Sequence, residues 1–235
     1  MARELRRRQA WQALIVAIVV TLAVQWVPYL QLLGWPLMLA STLAHELGHG
    51  FAAMTLGGRF ESMELFADGS GVAAYRGAFA RSDIALVAAA GLLGPPAAAL
   101  GFFLAGRSSR ASHVALGLLA IVLGVVALVW SDNALTFAFC GILAALLAVV
   151  ALYGSATISQ MLCVFVAVQL ALASFTRADY LFTGEAQTGQ GVMLSDVGQI
   201  AEAWLLPYWI WGGAIALLSV LLLVLGIWRF LAALR

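Results

Sequence analysis

The sequence predicts an all-α integral membrane protein, a bundle of about six to seven transmembrane helices with a short β-hairpin after the second helix. Of the 235 residues, 64% are hydrophobic and only 10% are charged, and the mean hydropathy is +1.01. These values lie far from those of soluble domains. Seven apolar runs also approach the length of about 20 residues that a helix needs to cross a bilayer. We therefore expect residues 1–235 to form a single polytopic membrane domain in contact with the lipid bilayer.

The apolar runs define the predicted helices in order. They lie at residues 11–33, 35–56, 84–106, 113–130, 134–153, 157–175 and 204–228. Four arginines precede the first run, and the net charge of the whole chain is only +1. Because arginine is enriched on the cytoplasmic side of membrane proteins, this cluster predicts a cytoplasmic N-terminus. The balanced charge predicts no binding to nucleic acid.

The second run, the predicted helix 35–56, contains the sequence His45-Glu46-Leu47-Gly48-His49. Residues four apart lie on one face of a helix, so both imidazoles can bind one metal ion. In the HExxH motif of zinc peptidases, the glutamate acts as a base on water held by the metal. The alternative is a pair of ordinary hydrogen-bonded histidines. Ionisable residues inside a membrane span are costly and usually functional, which favours a Zn²⁺ site with His45 and His49 as ligands and Glu46 as the catalytic base.

Residues 58–76 are the strand-like part of the chain. Met63, Leu65 and Ala67 alternate with more polar residues, and Asp68-Gly69 is typical of a turn. A hairpin next to the HExxH helix would offer a free edge to which an extended peptide could add by main-chain hydrogen bonds. The alternative is an ordinary loop.

A catalytic zinc ion needs a third protein ligand and one open position. Of the eleven acidic residues, Asp179 and Asp196 are the candidates, and both lie in the predicted polar loop 178–203. Asp179 is preferred because it directly follows an apolar helix, where the helix dipole disfavours an acid. Asp196 is the alternative ligand, since Asp-x-x-Gln is also a capping pattern for the start of a helix.

Several of these segments together resemble the site-2 protease family of intramembrane zinc metalloproteases, in its small bacterial branch without a PDZ domain. The HExxH span, Gly57-Gly58, Asp68-Gly69-Ser70-Gly71-Val72 and the Gly91–Pro95 segment carry the resemblance, and Ser195-Asp196 with Ala201, Pro207 and Trp209 adds to it. The resemblance implies cleavage of membrane-anchored protein or peptide substrates, zinc bound by two histidines and one aspartate, and the motif glutamate as base. It also implies a location in the bacterial cell membrane.

These inferences lead to one hypothesis and two rivals. The hypothesis is an intramembrane zinc metalloendopeptidase in which Glu46 activates the zinc-bound water. The first rival is a catalytically inactive metal-binding membrane scaffold. The second is a metal-handling transporter, because intramembrane histidines and acids are expected there as well.

Overall fold

The computed structural model describes residues 11–24 apart from 13, 17 and 22, and residues 31–176, 178–188 and 191–233. Within these ranges the side chains of residues 31–33, 175–179, 187 and 188 are not described. All positions described between 11 and 24 are helical.

Long helices make up most of the described chain. They are α1 (Gln31–Thr55), α2 (Arg81–Ala105), α3 (Ser109–Val125), α4 (Ala134–Tyr153), α5 (Ala156–Thr176) and α7 (Tyr208–Ala232), with the short α6 (Asp196–Trp204) before the last. A π-helical turn, Val126–Trp130, extends α3, and a 3₁₀ turn, Ala178–Phe182, follows α5.

Five segments of the described residues have the length and hydropathy of a membrane span: Arg81–Ala105, Ser109–Trp130, Ala134–Tyr153, Ala156–Ser174 and Tyr208–Ala232. They correspond to the last five predicted runs and confirm the predicted class, a mostly helical membrane protein. The HExxH helix α1 is long enough to span as well, but it is less apolar and is not among the five. The predicted run 11–33 lies partly outside the described residues.

The last span begins later in the structure than the apolar run predicts. Residues 204–228 were predicted, whereas α6 ends at Trp204 and α7 begins at Tyr208. The backbone turns between the two helices at Leu205, which has a positive φ of 62°, and Pro207 precedes the first turn of α7. Proline favours the start of a helix and cannot continue one, so the apolar Leu205 and Leu206 belong to a connection instead of a span.

The first hairpin confirms the predicted one. Strand β1 (Arg59–Leu65) pairs antiparallel with β2 (Gly71–Arg76), and Gly69 takes a φ of +85° in the turn. The burial of Phe60, Met63 and Leu65 fixes one face of β1 against the helices.

The predicted polar loop 178–203 contains regular structure. After the 3₁₀ turn, strand β3 (Glu185–Thr188) pairs antiparallel with β4 (Gly191–Leu194), and α6 follows immediately. β3 is polar and only four residues long, so it carries no alternation of apolar residues from which a strand could be predicted.

Glycines allow α1 and α2 to approach closely. A Cβ atom on Gly48 would lie 2.3 Å from the Ala90 carbonyl oxygen, and one on Gly94 would lie 2.5 Å from that of Ala44. Small residues at such positions let membrane helices pack backbone to backbone. This close contact between α1 and α2 sets the position of the candidate site.

Candidate metal centre

Helix α1 carries the two histidines of the HExxH motif on one face. His45 and His49 are one turn apart, and their Nε2 atoms lie 3.1 Å from each other. The two rings are nearly perpendicular, with centroids 4.7 Å apart. Both predicted imidazoles therefore point their Nε2 atoms at the same spot.

His49 is oriented by helix α2. Its Nδ1 lies 2.9 Å from the Val87 carbonyl oxygen, which can only accept, so Nδ1 carries the proton and donates it. Nε2 is then the nitrogen left to bind a metal once it is unprotonated, the arrangement usual for metal-binding histidines. Gly91 lies against the same ring, where a Cβ atom would come within 2.3 Å of Nε2.

The third group is Asp196, the first residue of α6. Its Oδ2 lies 3.0 Å from His45 Nε2, and its Oδ1 lies 3.4 Å from His49 Nε2. The Asp196 side chain is 6% exposed. Burial raises the pKa of a carboxyl group, but the imidazoles of His49 and His45 lower the pKa of Asp196 to well below its usual value. The carboxylate is therefore ionised, as a metal ligand must be.

The capping role that weighed against Asp196 belongs to its neighbour. Ser195 is the N-cap of α6, and its Oγ accepts a hydrogen bond of 3.0 Å from the Gly198 amide. Asp196 follows the cap, so its carboxylate is not used for capping and turns toward the histidines.

The preferred third ligand, Asp179, belongs to the 3₁₀ turn, but its side chain lies outside the described residues. Its predicted role stays a prediction without structural support. Asp196, placed second by the sequence interpretation, is the acid that the structure brings to the imidazoles. His45, His49 and Asp196 form a group of possible metal ligands whose donor atoms lie within 4.8 Å of one another.

The donor set is suitable for zinc. Two imidazole nitrogens and one carboxylate oxygen are ligands found at catalytic zinc sites. Ligand atoms about 2.0 to 2.2 Å from a tetrahedral zinc ion lie about 3.3 to 3.6 Å from each other. The separations of 3.0, 3.1 and 3.4 Å in this group are close to those values. With three protein ligands, a tetrahedral ion would keep one open position.

Glu46 borders the same space. The residue is 6% exposed, and it lines two adjoining cavities of about 640 and 400 Å³ that share His45 and Glu46 in their walls. Gly71 of β2 packs against it, since a Cβ atom there would lie 3.1 Å from Glu46 Cγ. The carboxylate is thus at the junction of the cavities, beside the histidines.

Two tyrosines that the sequence interpretation did not identify complete the walls. The Tyr180 hydroxyl donates to Asp196 Oδ2 over 3.4 Å, and the Tyr75 ring stacks on His49 with centroids 6.5 Å apart. Burial, reinforced by the negative charge of Asp196, raises the pKa of both phenols. Neither tyrosine belongs to a sequence motif, and only the fold brings them to the site.

Taken together, the fold and the site define an integral membrane protein with a candidate metal centre of two histidines and one aspartate beside a buried glutamate. The Peptidase M50B-like family model matches residues 15–226, so the chain belongs to this family, which is the site-2 protease family. Comparisons with curated proteins and with solved structures found no match. Family membership makes the chain an intramembrane metalloprotease in general, and peptidases of this family are generally zinc-dependent.

Proposed function

We propose that the protein is an intramembrane zinc endopeptidase in which His45, His49 and Asp196 hold the metal, Glu46 is the catalytic base and membrane-anchored proteins are the substrates. The observation that carries the proposal is the convergence of Asp196 on both imidazoles. A buried carboxylate from a distant segment, next to two Nε2 atoms, completes the ligand set that a catalytic zinc ion requires.

Bound zinc would supply Lewis acidity, which polarises the scissile carbonyl and makes water a stronger acid. Glu46, buried at the junction of the cavities, would take a proton from the attacking water. It would then give that proton to the leaving amine as the peptide bond breaks. The Val87 carbonyl keeps His49 in the tautomer that this chemistry needs.

The hairpin supports an extended substrate. The outer edge of β1 is already hydrogen-bonded to the connection before α4 and to the first turn of α4. Asp132 N donates to Met63 O (3.2 Å), and Asn133 Nδ2 donates to Leu65 O (3.0 Å). Leu65 N donates to Thr136 Oγ1 (2.7 Å). The other strand, β2, borders the larger cavity from Gly71 to Tyr75. A peptide in that cavity can therefore add to β2 by main-chain hydrogen bonds, with its backbone beside Glu46.

Zinc analysis of purified protein tests the ligand set. We expect one zinc ion per chain, retained by Asp179→Asn and lost from Asp196→Asn, because only Asp196 contacts both imidazoles in the described structure. The two variants remove the same charge from neighbouring segments and so serve as matched controls. Loss of zinc from Asp179→Asn with retention by Asp196→Asn would reverse the assignment.

Mass spectrometry of new peptide termini tests the activity. In membranes from cells that produce the protein, we expect cleavage within or next to transmembrane segments of membrane-anchored proteins. The Glu46→Gln variant should keep its zinc and produce none of these termini. Undiminished cleavage by Glu46→Gln would refute its role as base. Stoichiometric zinc without any cleavage by the unmodified chain would favour the inactive scaffold, and zinc uptake into reconstituted vesicles would favour the transporter.

A further inference from the structure

We propose that Tyr180 is a positioning residue for the metal centre, where its hydroxyl holds the Asp196 carboxylate in the orientation that binds the ion. The inference rests on the proposed function, since it assigns the ligand role to Asp196. It adds a residue that contacts a ligand and not the reacting atoms.

The contacts of Asp196 explain why such a residue is needed. The carboxylate directs one oxygen at each imidazole, with Oδ2 at His45 and Oδ1 at His49. Oδ2 also accepts the hydrogen bond from Tyr180. A hydrogen-bond donor on one carboxylate oxygen restricts rotation of the carboxylate. The group is therefore already ordered before the metal binds, and metal binding loses less conformational entropy.

Tyr180 is also held in place independently of helix α1. The backbone next to it packs on α7, where a Cβ atom on Gly212 would lie only 1.9 Å from the Leu181 carbonyl oxygen. The Leu181 side chain is buried in a cluster with Val197 and Ile200 of α6. The same cluster therefore fixes the 3₁₀ turn that carries the hydroxyl and the helix that carries its acceptor.

The ring of Tyr180 adds a second contact with the centre. It meets the His45 ring edge to face, with centroids 6.3 Å apart and an angle of 83° between the planes. The Val87 carbonyl orients His49 from outside the ligand set. Tyr180 does the same for Asp196 through its hydroxyl and for His45 through its ring. Removing such outer contacts typically lowers metal affinity about ten- to a hundredfold.

The test is zinc affinity of the full chain in detergent, measured by competition with a chelator of known affinity. The Tyr180→Phe variant removes only the hydroxyl and keeps the ring, and we expect its zinc affinity to fall about tenfold or more. Its thermal midpoint in excess chelator should equal that of the unmodified chain, which separates ligand positioning from folding. Tyr153→Phe is the control, because Tyr153 lies at the end of α4, is 81% exposed and lines neither cavity. Removing its hydroxyl should leave zinc affinity unchanged.

A double-mutant cycle completes the experiment. Because Asp196→Asn should lose its zinc on purification, the weaker affinity of the two remaining histidines is measured in this background by direct titration with added zinc. There Tyr180→Phe should change zinc affinity by less than about threefold if the hydroxyl acts through the carboxylate. Equal zinc affinity of Tyr180→Phe and the unmodified chain would overturn the inference and leave the proposed function standing. An equal loss in both backgrounds would overturn it as well. Absence of zinc binding by the unmodified chain would overturn the proposed function and this inference together.

Discussion

Gly91 shows how one missing side chain shapes the site. A Cβ atom at this position would lie 2.2 Å from Cε1 and 2.3 Å from Nε2 of His49. We predict that Gly91→Ala forces the imidazole to move away from α2 and from the Val87 carbonyl that orients it. Because a misplacement of about 1 Å in a catalytic group can cost about a hundredfold in rate, zinc affinity and peptidase activity should both fall strongly. Chelator competition and a cleavage assay measure the two effects.

Gly101 gives the control on the same helix. A Cβ atom at Gly101 would meet nothing within 4 Å, and alanine is a better helix former than glycine by about 1 kcal/mol. Gly101→Ala should therefore keep normal zinc affinity with equal or slightly higher stability. A Gly91→Ala protein that binds zinc as tightly as the Gly101→Ala protein would show that His49 does not depend on this close approach.

At the scale of one element, the start of α6 links stability to the metal site. The Ser195 Oγ accepts from the Gly198 amide and donates to the Thr183 carbonyl oxygen at 2.5 Å, and its amide donates to the Gly184 carbonyl. Loss of an N-cap hydroxyl costs about 1 kcal/mol. We predict that Ser195→Ala lowers the stability by about that amount and also weakens zinc binding, because the next residue is Asp196. Thermal unfolding and chelator competition report the two losses.

Ser108 caps α3 in the same way, with its Oγ 3.2 Å from the Ala111 amide. Ser108→Ala should cost similar stability and leave zinc affinity unchanged, since α3 carries none of the three candidate ligands. Ser195→Asn should restore both properties because asparagine is a good N-cap residue. If Ser195→Ala and Ser108→Ala changed zinc affinity alike, the effect would come from general destabilisation and not from the placement of Asp196.

The capping geometry also explains why Asp179 was preferred to Asp196 as the third ligand from the sequence alone. Asp196 and Gln199 match a capping pattern, whereas Ser195 has Gly198 three residues on and offers only a residue type that is common at N-caps. Only the three-dimensional structure shows that Ser195 takes the cap and leaves the carboxylate of Asp196 available. Because the N-cap is Ser195 and not Asp196, the Asp196 carboxylate is a candidate metal ligand and not a capping group.

At the scale of the molecule, the predictable features were local in the sequence. Helices α1 to α5 and α7 follow from apolar runs, the paired imidazoles of His45 and His49 follow from helical spacing, and the first hairpin follows from its turn at Asp68-Gly69. The meeting of α1 with α6, the hydroxyl of Tyr180 and the β3–β4 hairpin depend on packing between segments far apart in the chain. One sequence carries no direct signal for such contacts.

The contact of α1 with α6, which brings Asp196 to the two histidines, leads to a prediction for the whole molecule. Zinc would join α1 to α6, so binding should stabilise the folded chain against heat by linkage. At a free zinc concentration one hundred times the dissociation constant, the gain is about 2.7 kcal/mol. For a chain of this size, that gain corresponds to a rise of roughly 5 to 10 °C in the thermal midpoint. Unfolding scans in detergent, with zinc and with excess chelator, measure the difference.

Two variants show whether this gain comes from the proposed ligands. Asp196→Asn should lose most of the zinc-dependent rise, because it removes the one described carboxylate in contact with both imidazoles. Asp132→Asn makes the same chemical change at the connection between α3 and α4 and should keep the full rise. If zinc stabilised the Asp196→Asn protein as much as the unmodified chain, the metal would bind elsewhere. The closure of α1 on α6 would then have to rest on the protein contacts alone, chiefly the packing of both helices against α2.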